Sequence, residues 1–260
     1  MNILEKIVAN KKLEIARSKA TIGIGDLEKS FDLKRKTISL HKALIDGTTS
    51  GIIAEFKRKS PSKGIINDQV RPEIVTKGYA DAGAVGLSVL TDLDFFGGNF
   101  DDFRAARLAN PTTAMLRKDF MIDEYQLYEA KALGADVILL IAACLKPNEV
   151  MNLGKKARQM DMEVLLEVHD AQELNQTLCE YVNIVGVNNR NLKTFETRIQ
   201  TSMELANKIP DDFAKISESG LENMATILKL REVGYHGFLI GETFMKTANP
   251  ASTMKELLTL

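Results

Sequence analysis

The amino-acid sequence predicts an α/β fold, a (β/α)₈ barrel of the TIM type with an N-terminal helical extension. Three observations carry this. Three segments, 81–92, 132–143 and 232–243, share one grammar: a helix-like stretch, a glycine (Gly83, Gly134, Gly234), then a short apolar run. Glycine suits the left-handed position just past a helix end, and runs of Val, Ile and Leu without strict alternation suit parallel strands covered on both faces. The same grammar yields eight strand candidates, and 260 residues is an ordinary length for eight closed βα units.

Taken in order, the first fifty residues read as helical, with a capping-like Gly25-Asp26 in the second piece. The strands follow at 52–57, 86–91, 113–118, 136–142, 163–168, 184–188, 214–218 and 237–241. Between them lie amphipathic helices at 69–82, 123–133, 147–160 and 222–233, with Pro72 and Pro147 near two helix starts, where proline is tolerated. No low-complexity run or domain boundary interrupts the series, so residues 1–260 are expected to be one barrel domain with residues 1–50 as its extension. Gly23-Ile24-Gly25 is not a dinucleotide fingerprint, because it lacks a preceding strand and a third glycine.

Composition narrows the function classes. Net charge is −1, which argues against nucleic acid or an anionic membrane as a partner. No segment has the length of a membrane span, and the first twenty residues read as neither a secretory nor a mitochondrial leader. A reducing, cytoplasmic compartment is expected. Cys144 and Cys179 lack metal or redox spacing and are expected as buried free thiols, and His41, His169 and His236 are too scattered for a metal cluster.

Function is read from the strand ends, where barrels of this kind build their sites. In the first strand Glu55 and Lys57 share one face, while Phe56 and Arg58 take the other. Two charges on a buried strand carry a desolvation cost that packing does not explain. The third strand ends in Lys118, with Arg117 pointing outward, and the fifth in Glu167. The sixth delivers Asn188 and then Arg190, the seventh Glu218, Ser219 and Gly220, and the eighth Gly241 and Glu242. A lone charge at one strand end is ordinarily a solvated side chain; polar residues at six ends converging on one rim form a site. The glycines after strands seven and eight sit where such barrels hold phosphate, and Arg190 adds a cation. Phe95 and Phe96, in the loop after strand two, read as an apolar lid or a wall against an aromatic substrate. Ser60, Ser62 and Lys63, in a polar loop after strand one, read as contacts for an anion. His169 reads as a hydrogen-bonded structural histidine.

These residues resemble the indole-3-glycerol phosphate synthase family. The resemblance rests on IAEFKRKSPSKG, AVGLSVLTD with the FFGG loop, LRKDF, ADVILLIAA, LLEVH, IVGVNNRNL, SESG and FLIGETFM, in the family's order along nearly the whole chain. It implies a phosphorylated small-molecule substrate, 1-(2-carboxyphenylamino)-1-deoxyribulose 5-phosphate, closed to indole-3-glycerol phosphate with loss of carbon dioxide and water, and neither a metal nor an organic cofactor. It carries roles onto Glu55, Lys57, Ser60, Lys118, Phe120, Glu167, Asn188, Arg190, Glu218, Ser219 and Gly241. Glu242 stands where some relatives have a small residue. In this reading Lys118 is the general acid, its pKa tuned toward the working range by crowding from Lys57. Glu167 and Lys57 serve the dehydration, with Glu55 holding Lys57. A monomer is expected, with transient contact to other tryptophan-pathway enzymes as an open partner. The alternative within enzymes is a sugar-phosphate isomerase such as phosphoribosylanthranilate isomerase, whose family carries a cysteine on strand one. From another class, the alternative is a retired barrel that binds without turnover.

Overall fold

Eight parallel strands close on themselves: β1 (Ile52–Phe56), β2 (Gly86–Leu90), β3 (Ala114–Lys118), β4 (Val137–Ile141), β5 (Glu163–Val168), β6 (Ile184–Asn188), β7 (Ala214–Glu218) and β8 (Gly237–Ile240). This is the arrangement in the computed structural model of the protein, which describes residues 2–30, 34–192 and 194–259. Helices at 72–81, 125–132, 147–159 and 224–232 pack outside, within three residues of the sequence expectation.

Strand parity sorts the side chains into two cores. Ile53, Leu116, Leu139, Leu165, Ile184, Ile216 and Leu239 fill the barrel interior. Their neighbours Ile52, Met115, Ile138, Val164, Val185 and Phe238 face the helices. Each strand is therefore apolar on both faces, which is why its sequence shows no alternation. The charges that face the barrel mouth gather at the last interior positions, while Glu163 at the opposite end and the outward-facing Arg117 and Lys215 are buried charges outside that rim.

The N-terminal extension closes both ends of the barrel. A helix at Ile3–Thr21 lies over the mouth formed by the strands' C-terminal ends, with Ile3, Leu4 and Ile7 in the wall of the cleft there. A second helix, Leu40–Ile45, plugs the opposite end. Leu40 and Leu44 are wholly buried against Gly86 and Gly237, where any Cβ would collide with them. Glu163, at the start of β5, binds this plug by accepting from the Ser39 hydroxyl and from His41 N–H (2.9 Å).

Some expectations change. Gly25 and Asp26 lie inside a short helix, Ile24–Leu27, whose N-cap is Gly23 with no side-chain cap. Cys144 and Cys179 are free but only half-buried. Arg117 does point away from the barrel axis, yet it is wholly buried rather than solvated. It bonds Thr91, the Gln126 carbonyl, Asp119 and Glu129. Among the described residues no helix is long and apolar enough to cross a membrane.

Candidate active site

The cleft at the mouth is built from the strand-end side chains. Glu55 is last but one on β1 and sits wholly inside. It accepts from Lys57 Nζ at 2.6 Å and from the Ser88 hydroxyl at 3.2 Å. Burial alone would raise its pKa; Lys57 and Lys118 outweigh that and leave it lowered. Glu55 is therefore a carboxylate at neutral pH.

Lys118 occupies the centre. Its ammonium lies 3.0 Å from Glu218 Oε2 and 3.4 Å from Glu167 Oε2. Burial favours the neutral amine, but Glu218, Glu167 and Glu55 together push its pKa well above the ordinary lysine value. The expected downward tuning by Lys57 is thus corrected. Lys57 is tied to Glu55, and three carboxylates rather than a second cation set the field at Lys118.

The two other carboxylates are driven apart. Glu218 is buried, its Oε1 accepts no hydrogen bond, and the negative charge of Glu167 adds to the effect of burial. Against the pull of Lys118, its pKa is pushed up to about 7. Glu167 is also buried, but Lys118, His169 and Asn188 hold it well below the usual carboxylate range. Asn188 Nδ2 donates to Glu167 Oε1 at 3.0 Å. Such a pair is the pattern of a site with one standing base and one group able to carry a proton near neutrality.

At the far side Arg190 reaches Ser62 Oγ (3.2 Å), Thr197 Oγ1 (3.2 Å) and Glu242 Oε2 (3.1 Å). Lys63 is 3.5 Å from the same Glu242 side chain. Ser219 and Gly220 are both left-handed, at φ 68° and 74°. For serine this conformation costs about 1 kcal/mol or more, so surrounding contacts must hold it. Asn189 does so, donating to the carbonyls of Glu218 (3.0 Å) and Ser219 (3.1 Å), while its own amide oxygen takes Ser202 Oγ (2.8 Å). Sequence reasoning passed over Asn189. Its signal was parity: next to Asn188, it had to face the helix layer, where a buried amide needs partners.

The apolar wall is Phe96 and Phe120, with ring centroids 6.0 Å apart. Leu192, Phe195 and Leu221 join it together with Ile3, Leu4 and Ile7 of the N-terminal helix. None of these six was singled out from sequence; for the three on the first helix, nothing local ties them to the barrel mouth. Of the expected site residues, Glu55, Lys57, Ser60, Lys118, Phe120, Glu167, Arg190, Glu218, Ser219, Gly220, Gly241 and Glu242 line the cleft, as do Ser62 and Phe96. Two do not. Phe95 packs on the interior core beside the cleft, and Asn188 acts from behind Glu167. Among the described residues no three His, Cys, Asp or Glu side chains gather to hold a metal ion.

The family model for indole-3-glycerol phosphate synthase matches residues 4–257. The chain belongs to that family. It is 46% identical over 257 residues to the indole-3-glycerol phosphate synthase of Bacteroides thetaiotaomicron, covering 99% of this chain and 98% of that one. It is 43% identical over 260 residues to the synthase of Albidiferax ferrireducens, covering 98% of each. Among solved structures it is similar to 3-hexulose-6-phosphate synthase from Salmonella typhimurium (TM-score 0.62, 11% identity, 80% of this chain and 98% of that one). Thiamine phosphate pyrophosphorylase from Pyrococcus furiosus is similar to the same degree (TM-score 0.61, 10% identity, 85% and 96%). At such identity these two share the barrel fold. The indole-3-glycerol phosphate synthase family accounts for the polar rim and the N-terminal helix together, since its model takes in both.

Proposed function

We propose that this chain closes the indole ring of 1-(2-carboxyphenylamino)-1-deoxyribulose 5-phosphate, releasing carbon dioxide and water, with Lys118 as the proton donor. The carboxy-lyase reaction is that of its family. The division of labour is read from the cleft, and the observation that carries it is Lys118 held between Glu218 and Glu167.

The carboxylate-bearing ring carbon attacks the ketone, and negative charge develops on the ketone oxygen. An alkoxide is basic enough to take a proton even from an ammonium whose pKa is raised, so the three carboxylates that keep Lys118 charged also keep it loaded as donor. Once Lys118 has given up that proton, Glu218, with its pKa near 7, is the neighbour able to return one. Loss of carbon dioxide returns its electron pair to the benzene ring and leaves the attacking carbon aromatic, without a hydrogen. The former ketone carbon keeps its hydroxyl, and the methylene carbon between it and the nitrogen carries the proton still to be lost. Glu167, held ionised, takes the proton. Lys57, steadied by Glu55, donates to the departing hydroxyl. Phe96 and Phe120 press the aromatic end against the chain, and the Arg190–Ser219–Gly220–Gly241 end anchors the phosphate. The barrel and its extension work as one unit in the cytoplasm, as a monomer.

Incubation with the carboxyphenylamino-deoxyribulose phosphate, following the indole chromophore, tests the reaction. Lys118→Met is expected to cut turnover by about 10³-fold or more, the scale of a lost donor to a developing oxyanion. Turnover close to that of the unaltered chain in Lys118→Met removes Lys118 from the role.

A further inference from the structure

Behind Glu167, on the side away from Lys118, stands a second row of groups. His169 follows two residues later on the same strand parity, and its ring is largely buried. Nδ1 lies 3.0 Å from Glu173 Oε2, and Nε2 lies 3.4 Å from Glu167 Oε1, an ion-pair distance with the angle short of a hydrogen bond. Glu173 Oε2 also accepts the backbone N–H of His169 at 2.8 Å, so that one carboxylate oxygen fixes both the ring and the main chain beneath it. Glu173 is placed by the helix Ala171–Thr177, whose N-cap Asp170 takes the Glu173 N–H at 2.8 Å. The order is carboxylate, imidazole, carboxylate, with the inner one in the cleft.

We propose that His169, oriented by Glu173, is a positioning residue for the reaction: it aims Glu167 into the cleft and keeps that carboxylate ionised as the base. The inference rests on the reading of Glu167 as the base. Three contacts then define Glu167: Lys118 on Oε2, and Asn188 and His169 on Oε1. With both nitrogens facing carboxylates, imidazolium is the form that fits. Burial opposes its charge, but Glu167 and Glu173 overcome this and push its pKa up to about 10. The Cys144 thiol lies in the field of the same two carboxylates, which together with burial keep it protonated, so it adds no charge. Without the imidazolium, Glu167 Oε1 would keep only its hydrogen bond from Asn188, and no positive charge would balance the pull of Lys118 on Oε2.

The test uses three variants of the full chain: His169→Ala, Glu173→Gln and Glu167→Gln. His169→Ala is expected to lower kcat by about 10- to 100-fold with KM within about twofold, the scale for a partner that orients a reacting group. The acid limb of its kcat–pH profile should move up by about one unit, because an opposite charge has left the carboxylate. Added imidazole should restore part of the lost kcat, an effect that simple loss of packing would not show. Glu173→Gln should give a smaller loss in the same direction. His169→Ala turnover within about twofold of the unaltered chain, while Glu167→Gln is inactive, overturns the inference and leaves the role of Glu167 standing. A kcat loss with an unmoved acid limb and no response to imidazole overturns it as well. Full turnover in Glu167→Gln fails the reading of Glu167 itself, and the inference with it.

Discussion

Lys11 of the N-terminal helix and Asp119, the residue after Lys118, form an ion pair of 2.9 Å with both side chains wholly buried. The same ammonium reaches Asp92 at 3.1 Å, and Asp92 caps the short helix that carries Phe95 and Phe96. One cation therefore ties the first helix to the loops after β2 and β3, which hold the aromatic wall and the central lysine. Burying it is costly in itself, but its three carboxylate partners compensate as long as all are present.

Lys11→Met should destabilise the protein by about 3–5 kcal/mol, because it strands two carboxylates away from water. Urea denaturation measures this. The pH dependence has a definite sign. Burial would raise the Asp119 pKa, yet Lys11 and Arg117 hold it down to about 2 against an ordinary 3.8. A lowered folded pKa contributes stability above the unfolded value. That contribution, about 2 kcal/mol, should be lost as pH falls from about 4 to about 2, and should be absent in Asp119→Asn.

Glu218 titrates with the opposite sign. Its folded pKa, pushed up to about 7 from 4.5, favours the protonated form, so its share of stability is present below about 4.5 and lost as pH rises to about 7. Glu218→Gln should therefore gain on the unaltered chain in thermal stability across that window and run parallel to it on either side. A constant difference from pH 4 to 8 would show that Glu218 titrates elsewhere.

Gly186 on β6 faces the interior, and a Cβ there would run into Glu218 Oε1 and come within 3.1 Å of Leu165 Cδ1. Gly186→Ala should displace the Glu218 carboxylate from Lys118 and lower kcat by about 10-fold or more, the general sensitivity of catalysis to misplacement. The far-ultraviolet circular dichroism spectrum should be unchanged.

Glu242 is expected to compete with phosphate rather than bind it. It holds Arg190 at 3.1 Å and Lys63 at 3.5 Å, and those cations keep its pKa below the usual value despite partial burial. Glu242→Ala should lower KM for the phosphorylated substrate by about two- to fivefold, since a half-exposed pair of this kind is worth up to about 1 kcal/mol. A raised KM would make Glu242 a ligand instead.

The sequence by itself determined the strands and the positions that carry chemistry. Parallel strands buried on both faces write continuous apolar runs, and a charge at the last interior position, as at Glu55, Lys118, Glu167 and Glu218, breaks such a run visibly. What only the tertiary structure decided is how those charges pair. Lys57 and Lys118 look like neighbours from spacing, yet one is neutralised by Glu55 and the other by Glu218 and Glu167. Sequence also could not place Ile3, Leu4, Ile7 and Lys11, because more than eighty residues separate Lys11 from the Asp92 and Asp119 that hold it. Local pattern records burial; the sign of a pKa shift comes from partners a few ångströms away in space, and closure of the barrel brings them there.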